Sequence, residues 1–262
     1  LAGGLQPIGV QINDETRTVV CTLEQEDIVD GFNYLHSWYM DGIINPDANV
    51  ITEGTKGSCF GSAQGWPAAA TTWQTNEGIE KYDLTQVFGP IYTTETIQGS
   101  MNAISVNSNY KEEALKVLEL MNTDSKFRDM CAFGVEGDHF EYVGEGVVKR
   151  LRDDWTWPSY TQGTFFILSV TEDSDPDAYE QVKQQNEAAT PSTCLGFALD
   201  ISEIQNEMAN CNTVWDKYKY DLLTGASDPA EVLPKCIEEL KAAGLDTIIA
   251  EAQKQIDEFF AE

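Results

Sequence analysis

The stretch Gln98-Gly99-Ser100-Met101-Asn102-Ala103-Ile104-Ser105-Val106-Asn107-Ser108-Asn109, followed by Lys111-Glu112-Glu113-Ala114-Leu115-Lys116-Val117-Leu118, sets the reading of the whole chain. Met101 to Val106 reads as a strand entered from a Gly-Ser turn. Asn109-Tyr110-Lys111-Glu112 then places a capping residue three positions ahead of an acid, a common opening for a helix. The helix would bury Ala114, Leu115, Leu118 and Met121 on one face. A strand that hands over directly to an amphipathic helix is an α/β unit.

The same alternation extends outward in both directions. Ile8, Val10 and Ile12 alternate, Asn13 to Thr16 turn, and Val19-Val20-Cys21 return, a hairpin pattern. Thr22-Leu23-Glu24-Gln25 has the form of a capping box. It would open a helix with Ile28, Phe32, Leu35 and Tyr39 in one stripe, stopped at Gly42 and Pro46. Residues 49–65 read as loop, with a short strand near Cys59-Phe60. Pro67 suits the first position of a helix, which places Trp66 beside free amide donors. Downstream, a second short helix through Phe127 and Met130 ends at Gly134. A hairpin of 139–143 and 147–151 crosses Gly144-Glu145-Gly146, and residues 152–164 form an irregular aromatic loop. From about 175 the chain turns helical. Ser202-Glu203-Ile204-Gln205 caps one helix, and Cys211, Val214, Trp215, Tyr218 and Leu222 stripe the next as far as Gly225. Asp228-Pro229 opens another, which Pro234 should bend. Ile248, Ile249, Ala252, Ile256 and Phe259 line the last. Mixed α/β followed by helices predicts one continuous fold with more than one lobe.

Among 262 residues, 44 Asp and Glu face 16 Lys and Arg, a net charge of −28. A surface so acidic repels nucleic-acid phosphates and disfavours anionic lipid headgroups as direct partners. The apolar share of 42% supports a buried core, and no apolar run approaches the ~20 residues of a membrane helix. The expected ligand is therefore small and not strongly anionic. Leu1-Ala2-Gly3-Gly4 carries no leader pattern, so the chain is expected to be processed or cut from something longer. Cys21, Cys59, Cys131, Cys194, Cys211 and Cys236 are scattered without a CxxC spacing, so most are expected to be buried thiols, and no metal or cofactor is expected.

Catalytic patterns are sparse. The sequence has no GxSxG, HExxH, GxxxxGK[ST] or GxGxxG, and Ser62 sits one place too early for a nucleophile elbow. His36 and His139 read as structural or surface residues, which leaves acid–base chemistry little to stand on. Acidic pairs are too abundant to point to glycoside cleavage. The expectation is a protein that is not an enzyme. Trp66, Trp73, Tyr92, Trp155, Trp157 and Tyr160 lie in or beside Gly/Ser/Thr/Pro-rich segments. One loop tryptophan commonly plugs a loop onto a core; several favour stacking on sugar rings, with Gln, Asn, Ser and Asp meeting the hydroxyls.

The segment from Gln98 to Leu118 resembles extracellular solute-binding proteins of ABC importers, in which a Ser/Asn turn leads into a helix of the pattern EEALKFL. Phe133-Gly134-Val135-Glu136-Gly137-Asp138-His139-Phe140 is similar to the YGIEGKHY hairpin of a lipoprotein subgroup with a distinctive C-terminal module. Trp38-Tyr39-Met40-Asp41-Gly42-Ile43-Ile44, similar to WYxxGxI, and Leu240 to Asp246 with Glu251 to Gln255 fit the same subgroup. The resemblance covers nearly the whole chain but only the later part of such a protein, so the chain looks like a C-terminal fragment. It implies the α/β, type II periplasmic-binding-protein-like two-lobe fold, represented mainly by its C-terminal lobe with a helix-rich end. Residues 1–100 would form the α/β part of that lobe. Residues 101–154 would be a crossover that packs on the missing N-terminal lobe, and 155–262 a returning helical module. The implied function is capture of an oligosaccharide in an interlobe cleft for uptake, with ABC permease subunits as partners. The whole protein would be extracellular, held at the membrane only through a lipid anchor upstream. Trp66, Trp155 and Trp157 would stack on the sugar, and Tyr92, Gln98 and Ser100 would make polar contacts. A receptor for peptide or another polar solute on the same fold, or a carbohydrate-active enzyme, are the alternatives.

Overall fold

The computed structural model describes residues 5–51, 61–67, 69–70, 73–74, 78, 80–155, 157, 159 and 161–261. In chain order the elements used below are β1 (Ile8–Val10), β2 (Val19–Cys21), α1 (Glu26–Met40), β3 (Ile91–Tyr92), α2 (Thr94–Ile97), α3 (Lys111–Thr123), α4 (Ser125–Phe133), β4 (Phe140–Gly144), β5 (Val147–Arg150), β6 (Val170–Thr171), α5 (Ala178–Glu187), β7 (Thr190–Pro191), α6 (Gln205–Thr224), α7 (Pro229–Ala243) and α8 (Leu245–Phe260). They fall into two units, Leu1–Cys59 with Pro191–Glu262, and Phe60–Thr190. That division keeps 101–154 in one unit with its neighbours on both sides. No helix among the described residues is long and apolar enough to cross a membrane. The short strand expected near Cys59-Phe60 lies outside the described residues.

The first unit is a helical assembly seeded by a hairpin. β1 and β2 pair antiparallel, Ile8 opposite Cys21 and Val10 opposite Val19. The capping box expected at Thr22 does not form. Thr22–Glu24 makes a single 3-10 turn and α1 starts at Glu26, because the Gln25 amide donates instead to the Cys21 carbonyl at 3.0 Å. Phe32 of α1, Trp215 and Leu222 of α6, Leu233 and Leu240 of α7 and Ile248 of α8 close on one core. α6 runs unbroken where the sequence predicts two helices. The Ser202 hydroxyl turns back to Asp200 Oδ1 at 2.6 Å rather than capping a helix, and the helical run begins only after Ile204. Asp228 caps α7 through the Ala230 amide at 2.9 Å, and α7 continues past Pro234 to Ala243. Cys21, Cys211 and Cys236 are buried and Cys131 and Cys194 half-buried, all five free; Cys59 lies outside the described residues.

The second unit is built on α4 and a small sheet. β4 pairs antiparallel with β5, as predicted, and β5 runs parallel to β6. Phe133, Phe140, Val148 and Leu168 fill the space between helix and sheet. Asp124 caps α4 by accepting from the Phe127 amide at 2.9 Å, and Gly134 ends it at φ 95°. Two expectations fail here. Met101 to Val106 forms no strand, with Met101 75% and Val106 79% exposed, because no neighbouring strand among the described residues supplies a ladder. α3 forms as expected from Lys111, but only Met121 of it is fully buried and Leu115 is 61% exposed.

Candidate ligand-binding surface

The residues predicted to bind ligand all lie in the second unit, distributed over three places. Trp66 stands directly before Pro67, and its carbonyl accepts from the Ala69 amide at 2.9 Å, the start of a helical turn. Its indole, 37% exposed, meets Trp73 edge-on at 5.8 Å, and Trp73 meets Tyr82 edge-on at 6.1 Å. Offset and edge-on pairs are the favoured aromatic geometries, so the three rings brace one another.

Tyr92, half-buried in β3, precedes a short capped helix. Thr93 accepts from the Thr96 amide while the Thr96 hydroxyl accepts from the Thr93 amide, a reciprocal cap that opens α2. The Gln98 amide closes that helix on the Thr94 carbonyl at 3.1 Å. The Gln98 and Ser100 side chains are left in solvent.

Trp155 belongs to the third place. Its Nε1 donates to the Cys131 carbonyl in α4 at 3.0 Å, and its ring meets His139 edge-on at 6.4 Å. His139 Nδ1 in turn accepts from the Val135 amide at 3.2 Å, and Gly134 packs flat on the imidazole, where a Cβ would come within 2.8 Å. Arg152 bonds both Asp138 and Asp154 beside it. The Arg152 bond holds the Asp154 carboxyl below the usual carboxylate range. Trp155 thus spends its one polar atom internally and remains 39% exposed, so what it offers solvent is carbon surface. Trp157 is half-buried, and its Nε1 is enclosed without a partner among the described residues. Among the described residues no ring contact or hydrogen bond joins the Trp66 group to Trp155 or Trp157.

Sequence reasoning did not find the residues that carry the polar structure around α4. Arg128 and Asp129 are both buried. Asp129 accepts from the Ser169 amide at 2.8 Å, the Ser169 hydroxyl at 2.7 Å and the Tyr142 hydroxyl at 2.8 Å. Burial first, and the bond to Asp129 second, push the Tyr142 phenol well above its usual range. A cavity of about 720 Å³ opens beside this cluster, lined by Lys126, Asp129, Tyr142, Glu145, Phe166 and Ser169 among others. None of the six predicted residues lines it. A charged pair set between apolar neighbours, Arg128-Asp129 between Phe127 and Met130, was the available signal. Among the described residues no group of three His, Cys, Asp or Glu side chains could hold a metal.

Comparison with known proteins bears on the chain as a whole. Residues 193–261 match the family described as a domain of unknown function, DUF3502. The chain is 26% identical over 277 aligned positions to a carbohydrate ABC transporter substrate-binding protein of Streptococcus pneumoniae, covering 99% of this chain and 55% of that protein. It superposes on the crystal structure of the N-glycan transport solute binding protein (NgtS) of Streptococcus pneumoniae with TM-score 0.85 at 24% identity, covering all of this chain and 60% of that one. The same protein in complex with Man5GlcNAc gives TM-score 0.76 at 23% identity, over 97% of this chain and 59% of that one. The chain spans about half the length of the curated relative it matches, 55%. Its fold is that of the type II solute-binding proteins on which it superposes, over their C-terminal portion, and residues 193–261 within it match the DUF3502 model.

Proposed function

We propose that this chain is the C-terminal portion of an extracellular substrate-binding component of an ABC importer, and that the whole protein captures an oligosaccharide and delivers it to the permease. Binding alone, without turnover, is the role read for it. Trp155 carries the reading. Its indole is held at the nitrogen by the Cys131 carbonyl, meets the His139 ring and stays 39% exposed, leaving carbon surface of the kind that stacks on the C–H face of a sugar. Trp66, braced by Trp73, presents a second such face, and Trp157, Tyr92, Gln98 and Ser100 supply further contacts. The likeness to a protein solved with Man1GlcNAc and Man5GlcNAc supports a glycan of this kind.

In this reading the ligand sits in a cleft that the upstream lobe completes, and 101–154 packs on that lobe. The exposed Met101, Val106, Tyr110 and Leu115 are the side chains it would cover. A lipid anchor upstream holds the whole protein at the cell surface. The test is calorimetry with mannose- and GlcNAc-containing oligosaccharides. The whole protein should bind and be thermally stabilised without releasing products, while this chain alone should bind weakly or not at all. Nanomolar binding by this chain alone would overturn the shared cleft, and product release would overturn the receptor.

A further inference from the structure

We propose that Arg128 is a positioning residue for ligand binding: its guanidinium fixes Ser159 and Thr164, which follow Trp155 and Trp157 in the chain. This rests on the reading of those tryptophans as ligand contacts. Arg128 has no solvent exposure. Its Nε donates to the Thr164 carbonyl at 3.0 Å and its Nη2 to the Ser159 carbonyl at 2.6 Å. Three residues further along the same helix, the Cys131 carbonyl takes the Trp155 indole proton. One helix therefore holds the stretch at Trp155, Ser159 and Thr164. α3 holds its end as well. Asn122 Oδ1 accepts from the Thr164 amide at 3.0 Å, and Gly163, at φ 67°, lies where a Cβ would come within 2.7 Å of the Met121 carbonyl.

The chemistry of the guanidinium argues that the arrangement serves the loop. A planar fork with five donors reaches two separate carbonyls in a fixed geometry that the compact ammonium of lysine does not reproduce. Arg128 has no carboxylate partner within ion-pair distance among the described residues, and its Nη1 is enclosed without an acceptor. A buried cation whose hydrogen bonds go only to backbone carbonyls, with one nitrogen unsatisfied, costs more than an apolar side chain of the same length. Stability alone therefore gives no reason for an arginine here, whereas fixing two carbonyls of an irregular loop does. Asp129, next in the helix, secures the chain beyond the loop through Ser169 and supplies negative charge nearby.

The test compares Arg128→Lys and Arg128→Met with the wild type in the full-length protein. Lysine keeps the charge and most of the length but loses the fork. Glycan affinity is read by calorimetry with a mannose–GlcNAc oligosaccharide, and amide hydrogen exchange over 155–169 is read alongside. Losing one charge-assisted bond predicts about tenfold weaker affinity for Arg128→Lys. Exchange should quicken over 155–164 and stay unchanged in α6 to α8. Wild-type affinity and exchange in both variants would overturn the proposal. So would global unfolding of Arg128→Lys, which would make the side chain a support for the whole unit. Trp155→Ala and Trp157→Ala separate the two ideas. If both bind glycan normally the ligand reading fails, while the exchange data still judge the positioning.

Discussion

Gly225 lies so close to the backbone of Leu35 that a Cβ there would run into the Leu35 carbonyl and reach within 2.6 Å of the His36 amide nitrogen. The contact joins the end of α6 to the middle of α1. Gly225 sits at φ 75°, and its carbonyl accepts a 2.7 Å bond from His36 Nδ1, which must therefore carry the proton. Positive φ and close approach make the same demand for glycine. Gly225→Ala should destabilise the first unit by about 3 kcal/mol or more, seen as a lower urea midpoint. His36→Ala, which removes the bond but opens no clash, should cost only about 1 kcal/mol. Equal effects from the two changes would show that the helix crossing tolerates a side chain.

The internal bond of Trp155 separates two contributions to ligand affinity. Trp155→Phe keeps an aromatic face but loses the donor to the Cys131 carbonyl, so the ring is no longer oriented. Trp155→Ala removes the face itself. In the full-length protein the phenylalanine variant should bind glycan about tenfold more weakly, the upper value of one ordinary hydrogen bond. The alanine variant should lose about a hundredfold, in line with a stacking hot spot. Calorimetry at one temperature decides it, and unchanged affinity in both variants removes Trp155 from the site.

Buried thiols give the first unit an alkaline limit. Burial, and after it the Glu239 carboxylate, push the Cys236 thiol up to about 12, and burial raises Cys21 and Cys211 as well. In the unfolded chain a thiol ionises near about 8.5. A group whose folded value is raised stabilises fully below the unfolded value, and that stability is lost as pH climbs toward the folded one. The melting temperature should therefore fall from about pH 9 upward. Cys236→Ala, although less stable at pH 7 for its lost packing, should flatten the slope between pH 9 and 11 in differential scanning calorimetry. Iodoacetamide at pH 8 should reach Cys131 and Cys194 in the native protein, and Cys21, Cys211 and Cys236 only on unfolding.

What the sequence made legible follows the range of the forces involved. The hairpin at Ile8 to Cys21, the one at Phe140 to Arg150 and the stops at Gly134 and Gly225 depend on neighbours a few residues away, and each formed as read. The two capping patterns at Thr22 and Ser202 failed because a nearer acceptor, the Cys21 carbonyl or Asp200, took the side chain. Met101 to Val106 failed for the opposite reason, since a strand exists only with a partner that pattern alone cannot guarantee. Around the candidate site, composition drew attention to exposed tryptophans. It could not show that Trp155 is pinned by a carbonyl on α4, or that Arg128 holds the next turns of the same loop. Those bonds join residues 24 to 36 positions apart through backbone carbonyls, which carry no residue-type signature.

Leu115 offers a test of what lies against the exposed side of α3. It sits in the middle of the helix with 61% of its surface open, and Tyr110 just before the helix, at 70%, is exposed as well. Exposed apolar side chains here are the ones that the upstream lobe would cover in the function proposed above. Leu115→Glu in this chain alone replaces one solvated side chain with another, so its stability should change by no more than about 0.5 kcal/mol. In the full-length protein the same change would press a carboxylate into an apolar contact. It should then cost about 2 kcal/mol or more, unless the group takes up a proton. Parallel urea melts of the two proteins, read by tryptophan fluorescence, measure the difference directly. A penalty of the same small size in both would mean that α3 faces water in the whole molecule, and that the upstream lobe docks elsewhere.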